Sequence, residues 1–371
     1  MKVVVVGAGI IGASIAYNLT RRPGVEVTVI EKASPGSGAS GHSFAWTNAF
    51  DKDPQHYNTL NRDSMELWHR FSRSIGVPDA FECNGRLLLE NTAEGAAALE
   101  TRVKTLQSWG YRCRMMPLDE VAALEPGLNC EGFTAASYSE VEGHVDVPKV
   151  IKACLQRAQD RGAVVMTSTA LTGLQRDGAG RIEAVETTSG RLACDVLVVA
   201  SGTDTPAIAA LAGVTIPQPV SPGIVVRTDP RPKLFASVSL LHLPALSPTR
   251  PDIHLRQTSD GVVQFGQGTQ ESLNEDDSQE HADDLLDRAT HYFPALKGAR
   301  AIRQPVGFRP LPEDGLPVLG FAKAAANLYL TLMHSGVTLA PIVGEMTVLE
   351  VVDGVSVGEL TPYRVERFAQ G

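Results

Sequence analysis

The N-terminal residues show a strand–turn–helix–strand pattern, which constrains the fold more than any other part of the sequence. Residues 3–6 are four valines, a β-branched run typical of a buried parallel strand. The sequence G-A-G-I-I-G follows at residues 7–12 and opens a helical stretch. A Pro-Gly pair at residues 23–24 ends that helix, and a second strand is predicted at residues 25–30. The opening of the chain therefore predicts a complete βαβ unit.

Each glycine of the 7–12 segment has a physical role in dinucleotide binding. Gly7 permits the tight turn after the strand, Gly9 lets the backbone approach a pyrophosphate, and Gly12 lets the helix pack closely on the sheet. The phosphates then lie against unpaired N–H groups at the positive end of the helix. Glu31 ends the second strand, where its carboxylate is suited to accept ribose hydroxyls and disfavours a 2′-phosphate. This pattern indicates a dinucleotide but does not distinguish FAD from NAD.

Length and charge narrow the classes of protein to consider. A chain of 371 residues predicts two domains that share one ligand cleft. The formal charge of −9, without a basic tract, argues against nucleic acid or an anionic membrane as the main partner. The five cysteines are odd in number and lack metal-ligand spacing, which predicts a reduced, cytoplasmic protein without a metal site. No uninterrupted apolar stretch is long enough to span a bilayer.

Helical and strand-rich segments alternate in blocks along the rest of the chain. Helices are predicted at residues 64–75, 94–109, 147–161 and 340–353, and strands at residues 85–90, 163–167 and 327–333. Hairpins are predicted to pair residues 181–188 with 191–200 and residues 254–256 with 262–265. This arrangement predicts a nucleotide-binding domain interrupted by a second, sheet-containing domain.

Five further segments carry a resemblance to a known family. They are G-A-S-G-H-S at residues 38–43, A-A-L-E-P-G-L at 122–128, V-L-V-V-A-S-G at 196–202, V-G-F-R-P followed by E-D-G-L-P-V-L-G within 306–320, and H-S-G-V-T-L-A-P at 334–341. With these segments and the 7–12 motif, nearly the whole chain resembles the FAD-dependent amine oxidase family that includes D-amino acid oxidase, glycine oxidase and sarcosine oxidase.

The resemblance implies a fold and a division into domains. The fold is α/β, with a Rossmann-like FAD-binding domain and an inserted α+β substrate domain built on a mixed, mainly antiparallel sheet. The FAD-binding domain would comprise residues 1–60, 145–220 and 305–371. The substrate-binding domain would comprise residues 61–144 and 221–304.

The resemblance also implies which residues contact FAD. They lie in the opening motif, the small-residue loop, the strand-and-glycine element and the C-terminal segment that wraps the flavin ring: Gly7, Gly9, Ile10, Ile11, Gly12, Glu31, Lys32, Ser40, Gly41, His42, Ser43, Leu171, Ala200, Ser201, Gly202, Gly307, Arg309, Ser335, Gly336, Val337, Thr338 and Leu339. A helix that starts near Ala340 would stabilise negative charge on the reduced ring through its N–H groups. The alternative is a plain strand–turn–helix connection.

Arg309 and His334 are the residues predicted to act on the substrate. The resemblance places Arg309 where glycine oxidase-like enzymes hold the substrate carboxylate, and a guanidinium suits that role because it donates two parallel hydrogen bonds. The alternative for Arg309 is a structural ion pair with an acid such as Asp314. His334 is predicted either to contact the flavin or substrate or to be a turn residue.

Further residues remain open for this site. Trp46 and Asn48 are candidates for the flavin pocket, with a core role as the alternative for Trp46. Arg256 is a candidate for a second anion-binding group, although most strand arginines are solvated. His42 lies where some members of the family link a histidine covalently to the flavin. Its neighbours differ from theirs, so the prediction is non-covalent FAD; a cysteine link is excluded because the last cysteine is Cys194.

The implied reaction is oxidation of a C–N bond, with hydride transfer from the substrate α-carbon to flavin N5 and hydrolysis of the imine. The sequence singles out no general base. A second hypothesis is a flavin-binding subunit of a hetero-oligomeric dehydrogenase that passes electrons to a partner protein. A third is an NAD-dependent dehydrogenase, against which the flavin-wrapping segment argues. The predicted partner is a small amine or amino acid substrate, and a homo-oligomer stays open.

Overall fold

A computed structural model describes residues 1–268 and 273–369 of the chain. Residues 269–272 and 370–371, which fall in ranges predicted for the substrate-binding and FAD-binding domains, lie outside the described residues. The α-helices of the described part are α1 (Ile10–Leu19), α2 (Gln55–Ser74), α3 (Ala93–Ser108), α4 (Leu118–Leu124), α5 (Val147–Gln159), α6 (Thr205–Ala210), α7 (Gln279–Tyr292) and α8 (Gly336–Val351). None of these helices combines the length and apolar character that crossing a membrane requires.

The strands are short and belong to several sheets. In chain order they are β1 (Lys2–Val6), β2 (Glu26–Ile30), β3 (Trp46–Thr47), β4 (Phe81–Glu82), β5 (Arg86–Glu90), β6 (Cys113–Met115), β7 (Ala135–Ser139), β8 (Gly143–Val145), β9 (Val164–Met166), β10 (Leu171–Arg176), β11 (Ile182–Thr187), β12 (Gly190–Ala193), β13 (Val196–Val199), β14 (Pro222–Gly223), β15 (Val226–Thr228), β16 (Leu240–Leu243), β17 (Ile253–Gln257), β18 (Val263–Gln267), β19 (Ala301–Ile302), β20 (Gly307–Phe308), β21 (Val318–Ala322) and β22 (Ala325–Leu332).

The six-stranded sheet has the order β21-β22-β13-β1-β2-β9 and contains both strands of the predicted βαβ unit. All its neighbouring pairs are parallel except β21 with β22. Successive valines of β1 pack on opposite faces of the sheet. Val3 and Val5 face α1 and α8, and Val4 and Val6 face the other side. A strand buried on both faces requires a continuous apolar run, which explains the four valines.

The eight-stranded sheet has the order β19-β15-β18-β17-β16-β5-β7-β6. Its pairs are antiparallel except β5 with β16, and α7 packs on it through residues such as Leu285 and Ala289. The predicted fold class, with its mixed and mainly antiparallel second sheet, is confirmed. The strands of the two large sheets fall in the predicted ranges, while the division into two domains stays a prediction.

Glu125, the acid of the L-E-P segment, joins two distant parts of the chain beneath the eight-stranded sheet. Its side chain is fully buried at the end of α4. The carboxylate accepts hydrogen bonds from the backbone N–H groups of Ala236, Ser237 and Val238, each at 2.7 Å. The L-E-P segment therefore has an identifiable structural role, because one carboxylate accepts from three successive donors, of which Val238 N is buried and the other two are partly buried.

Three predicted elements need correction. The helix predicted from residue 340 begins at Gly336, ahead of Pro341. The carbonyl that loses its intrahelical donor to the proline is that of Val337, and other helices contact the carbonyls near it: Ser14 Oγ donates to Ala340 O at 2.6 Å, and Ser64 Oγ donates to Thr338 O at 2.7 Å.

The second arm predicted for the hairpin at residues 191–200 divides into two strands. β12 pairs with β11, whereas β13 leaves the hairpin and lies between β1 and β22 in the six-stranded sheet. Burial of four apolar residues on both sheet faces outweighs continuation of the exposed hairpin. The helix predicted from residue 64 also begins earlier, at Gln55.

Candidate active site

The turn between β1 and α1 leaves no room for side chains at two of its glycines. Gly7 has a φ of +101°, and a Cβ atom there would lie 2.4 Å from Ala200 O. A Cβ atom on Gly12 would lie 2.0 Å from Gly7 O, so the helix could not pack against the strand. The predicted physical reasons for these two glycines are therefore present in the fold.

Ser40 lies at the N-terminus of α1. Its Oγ accepts a hydrogen bond from Ile10 N at 3.0 Å, and a Cβ atom on Gly9 would lie 3.1 Å from the same oxygen. The expectation of unpaired N–H groups is therefore wrong for Ile10, because the small-residue loop supplies an acceptor. The positive end of the α1 dipole still points towards this loop.

Glu31 is held in place by the backbone around it. Its two carboxylate oxygens accept from Ala8 N and Ala33 N, both at 2.9 Å. Lys32, the next residue, is exposed and forms an ion pair with Asp204. The carboxylate is thus oriented at the end of β2, where a ribose is expected.

A cavity of about 540 Å³ extends from this turn to the start of α8. Its wall includes most residues predicted for the cofactor: Gly7, Gly9, Ile10, Ile11, Glu31, Lys32, Ser40, Ser43, Leu171, Ala200, Ser201, Gly202, Gly336 and Val337, with His334 among them. We call it the nucleotide cavity. Turn, helix end and carboxylate are the groups that a dinucleotide requires.

A second cavity of about 400 Å³ adjoins the first and shares part of its wall. The residues common to both are Ala39, Ser43, Pro310, His334 and Val337. We call it the substrate cavity. Its wall also contains the predicted residues His42, Trp46, Asn48, Gly307, Arg309, Ser335 and Thr338. Of the described residues predicted to contact the cofactor, Gly12, Gly41 and Leu339 lie outside both linings, and Leu339 is a fully buried core residue.

Arg309 is half-buried in the wall of the substrate cavity, directly after β20. Its Nη1 donates to Pro222 O, and its backbone N donates to Ser221 O at 2.8 Å. Asp314, the suggested structural partner, has both carboxylate oxygens bound by Arg367 at 2.6 and 3.0 Å. The neighbouring β14 segment therefore orients the guanidinium of Arg309 in the cavity wall.

Two histidines in the cavity wall are neutral at neutral pH. Burial, followed by the charges of Lys52 and Arg309, lowers the pKa of His334 to about 3. Burial and the neighbouring His242 bring the pKa of His254 to about 3. Nδ1 of His334 is buried and has no hydrogen-bond partner among the described atoms. A neutral imidazole of this kind offers a hydrogen bond without adding charge.

Arg256 does not reach the cavity. It is 4% exposed and lies behind Phe44, with its guanidinium carbon 5.7 Å from the ring centroid. Its Nη1 donates to Nδ1 of His144 at 3.1 Å. Burial, followed by the charge of Arg227, lowers the pKa of Arg256 to about 10. The structure thus gives this arginine a buried position behind the wall rather than the solvated one expected of most strand arginines.

Sequence reasoning missed several residues of the substrate cavity. His254 shares a face of β17 with Arg256, so strand alternation was a usable signal for it. Lys52 lies between β3 and α2 in an irregular segment that has no periodicity.

Trp46, a predicted candidate for the flavin pocket, lines this cavity and is held in place by buried charged groups. Its Nε1 donates to Glu142 Oε2 at 2.7 Å, and the guanidinium of Arg86 lies 5.5 Å from its ring centroid.

The buried His144 predicts a specific loss of stability in acid. Burial, and then the charge of Arg256, lowers its pKa from 6.5 to about 3. The unfolded chain therefore binds a proton that the folded chain does not, and stability is lost as the pH falls from 6.5 towards 3. We expect His144→Gln to make the slope of unfolding free energy against pH, between pH 4 and 6, shallower by about 1.4 kcal/mol per pH unit.

Urea unfolding at a series of pH values measures this slope. The matched control is the same substitution at exposed His291, whose effect should not vary in this way. A His144→Gln profile parallel to that of the unaltered protein would show that His144 does not titrate as proposed.

A family model, two relatives and a solved structure each match nearly the whole of this chain. The family model described as FAD dependent oxidoreductase, DAO, matches residues 2–349. Glycine oxidase of Geobacillus kaustophilus is 26% identical, over 98% of this chain and 96% of its own. An opine oxidase subunit from Agrobacterium tumefaciens is 24% identical over the same shares, 98% and 96%. The crystal structure of L-proline dehydrogenase from P. horikoshii superposes with a TM-score of 0.87 at 25% identity and covers 100% of this chain and 98% of that one.

Proposed function

Because the chain belongs to the DAO family of FAD dependent oxidoreductases, we propose that it oxidises the C–N bond of an amino acid or of another amine that carries a carboxylate. The family resemblance and the enzyme class predicted from the sequence are confirmed, as is FAD as the cofactor. The observation that carries the finer proposal is Arg309 in the wall of a cavity that adjoins the nucleotide cavity.

The described residues fit FAD. The nucleotide cavity would hold the pyrophosphate at the β1–α1 turn beside Ser40, and the ribose of the adenosine at Glu31. Ser335, Gly336 and Val337, at the start of α8, would contact the ring end with their backbone N–H groups. Bound FAD would supply the oxidant, accepting at N5 the hydride that leaves the substrate carbon. Non-covalent binding at His42 stays a prediction.

Arg309 would orient the substrate. Its planar guanidinium matches a carboxylate, and Pro222 O fixes part of its geometry from behind. A carboxylate bound there leaves the adjacent carbon and nitrogen in the substrate cavity, beside the wall that the two cavities share. Such positioning lowers the entropic cost of bringing the reacting groups together in the transition state.

His334 would contact the substrate or the flavin at the shared wall through Nδ1, which has no hydrogen-bond partner in the described part of the chain. We do not assign His334 or His254 as a general base, because a group with a pKa of about 3 is a weak acceptor for an ammonium proton. The rings of Phe44 and Trp46 line the substrate cavity and would exclude water from the reacting carbon. Water would then hydrolyse the released imine to an oxo acid and ammonia, or to an oxo acid and an amine when the substrate nitrogen carries a second carbon substituent.

A second candidate function is that of a flavin-binding subunit in a hetero-oligomeric dehydrogenase. The observation that favours it is the similarity to the opine oxidase subunit, which extends over 98% of this chain. The same C–N oxidation would then deliver electrons to a partner protein. Membership of an FAD-dependent family is the finding against the third hypothesis, an NAD-dependent dehydrogenase.

The test is to follow the visible flavin absorbance of the purified holoprotein without oxygen, while pools of D-amino acids, imino acids and N-methyl amino acids are added. We expect one pool to bleach the flavin, because reduction removes its visible band. If none of the pools bleaches the flavin, amino acid oxidation is contradicted. Admission of oxygen then separates the two candidates: peroxide formation identifies an oxidase, and slow reoxidation without peroxide favours the subunit.

A further inference from the structure

The indole of Trp46 is held from several sides in the wall of the substrate cavity. Its Nε1 donates to Oε2 of Glu142 at 2.7 Å, and the guanidinium carbon of Arg86 lies 5.5 Å from its ring centroid. The rings of Phe44 and His254 also pack against it, with centroid separations of 6.5 and 6.0 Å. The indole therefore has little freedom to turn or to withdraw from the cavity.

Glu142 and Arg86 form an ion pair behind this wall. Both side chains are fully buried, and neither belongs to the described lining of the cavity. Nε of Arg86 lies 3.2 Å from Oε2 of Glu142, the oxygen that also accepts from Trp46. The other oxygen, Oε1, accepts from the hydroxyl of Tyr111 at 2.8 Å. Because a guanidinium and an indole N–H can only donate, both favour the ionised carboxylate.

A buried ion pair is an inefficient way to stabilise a fold. Apolar side chains of similar volume often stabilise a protein as well or better, because they avoid the cost of removing two charges from water. The pair behind Trp46 supplies direction instead, since a hydrogen bond of 2.7 Å to a fixed carboxylate defines the plane of the indole. Its location therefore points to a role in shaping the cavity.

The room beside Trp46 is limited. The substrate cavity has a volume of about 400 Å³. Under the proposed function, the ring end of FAD takes part of this volume next to the wall that the two cavities share. A wall that cannot withdraw sets an upper limit to the group that the substrate carries beside its C–N bond, because an overfilled site costs free energy.

We propose that Trp46 restricts the enzyme to substrates with a small group beside the oxidised C–N bond, and that Glu142 and Arg86 are positioning residues that keep its indole in the cavity wall. This inference rests on the proposed function and narrows it to short amino acids and their N-methyl derivatives. Amino acids with a benzyl group on the α-carbon or on the nitrogen would be poor substrates. Removing the acceptor on Glu142 would free the indole and admit them.

Two double variants isolate this acceptor. Arg86→Met/Glu142→Gln and Arg86→Met/Glu142→Leu both remove the charges, but only the glutamine variant keeps an oxygen for Trp46 Nε1. The measurement is the second-order rate constant of anaerobic flavin reduction in folded holoproteins, with sarcosine against N-benzylglycine and alanine against phenylalanine, both enantiomers. We expect the unaltered protein to prefer the small member of each reactive pair. The leucine variant should lower that preference about 10- to 100-fold, and the glutamine variant should retain most of it.

The same two variants in a Trp46→Phe background show whether the effect acts through the indole. Phenylalanine has no N–H to donate, so the glutamine and leucine variants should then have equal preferences. Arg364→Met/Glu350→Leu is the matched control, because this ion pair lies outside both cavity linings and Glu350 also accepts from a tyrosine hydroxyl, that of Tyr329, at 3.0 Å. The control should leave the preference unchanged.

Binding of inert analogues provides a readout that does not depend on turnover. (Methylthio)acetate and (benzylthio)acetate carry a carboxylate but no amine to oxidise. Calorimetry on the holoproteins should show that the leucine variant, relative to the glutamine variant, shifts the ratio of their dissociation constants about 10- to 100-fold in favour of the benzyl compound.

Single substitutions keep the inference testable if the leucine variant does not fold. Trp46→Phe and Tyr111→Phe each remove one donor to Glu142, but of these two residues only Trp46 lines the cavity. Trp46→Phe should therefore lower the preference for the small substrates, and Tyr111→Phe should leave most of it in place. Equal effects of the two substitutions would overturn the inference.

The outcomes separate the two proposals. If no amine of either pair reduces the flavin, the proposed function fails, while the calorimetric ratio still tests the wall. If the flavin is reduced and the glutamine and leucine variants have equal preferences, only the inference on Trp46 is overturned. A preference of the unaltered protein for the benzyl substrates, or a difference between the two variants that persists in Trp46→Phe, would also overturn it.

Discussion

Replacement of Arg309 by leucine is expected to lower kcat/KM for a carboxylate-bearing substrate about 30- to 4000-fold. This corresponds to a loss of about 2–5 kcal/mol in transition-state stabilisation. Leucine fills a similar volume but removes the fork that would bind the carboxylate in the substrate cavity. The loss should appear in the rate of anaerobic flavin reduction, since that step reports the C–N oxidation directly. Wild-type kinetics in Arg309→Leu would remove Arg309 from the binding site.

Two comparisons make this experiment specific. An amine substrate without a carboxylate should lose little in Arg309→Leu, because it has no group for the guanidinium to bind. Arg191→Leu provides the matched control: Arg191 is an exposed arginine of β12, where its guanidinium pairs with Glu183. An equal loss for substrates with and without a carboxylate would indicate that Arg309 supports the β14–β20 region instead of binding substrate.

Replacement of Glu125 by alanine is expected to lower the free energy of unfolding by about 3–5 kcal/mol, since it removes the charged acceptor of three N–H groups, one buried and two partly buried. The change lies outside both cavity linings, so its primary effect is on stability rather than on substrate selection. Urea unfolding of the holoprotein, followed by circular dichroism, measures the loss. Glu125→Gln should lose less, because one oxygen remains to accept the bonds from Ser237 and Val238.

The control for this prediction is Glu131→Ala, at an exposed glutamate close in sequence. It should change the unfolding free energy by about 0.5 kcal/mol or less, as surface substitutions usually do. Equal stabilities of Glu125→Ala and Glu131→Ala would mean that the segment at residues 236–238 finds other acceptors, and the structural role assigned to the L-E-P segment would then be wrong.

Local chemistry explains how much of the fold the sequence predicts. The βαβ opening is readable because adjacent residues determine it: four valines, a glycine turn and a Pro-Gly helix end lie within one short segment. The nucleotide cavity follows from the same segment, since its turn, helix end and Glu31 are neighbours in sequence. Recognition of the C-terminal segments required a family resemblance, because no periodicity marks Arg309 or His334.

Tertiary contacts explain the parts that were not predicted. The start of α8 was placed too late because Pro341 is typical of a first helical turn, whereas here the helix begins at Gly336 and packs, near the proline, against Ser14 and Ser64 of other helices. Lys52 was missed because only the three-dimensional fold brings it to the same cavity as Arg309. Arg256 was a reasonable candidate from its strand position, but Phe44 separates it from the cavity.

Neighbouring strands of the six-stranded sheet are far apart in sequence, so they leave the ribosome at different times. β1 and β2 pair from the first thirty residues, β13 follows at Val196–Val199, and its outer neighbour β22 comes only at Ala325–Leu332. Until β22 is synthesised, β13 is an apolar edge with unpaired N–H and C=O groups, the kind of surface that pairs with other chains. For about a third of translation, the nascent chain therefore offers chaperones, or a neighbouring nascent chain, a strand edge that the finished protein conceals.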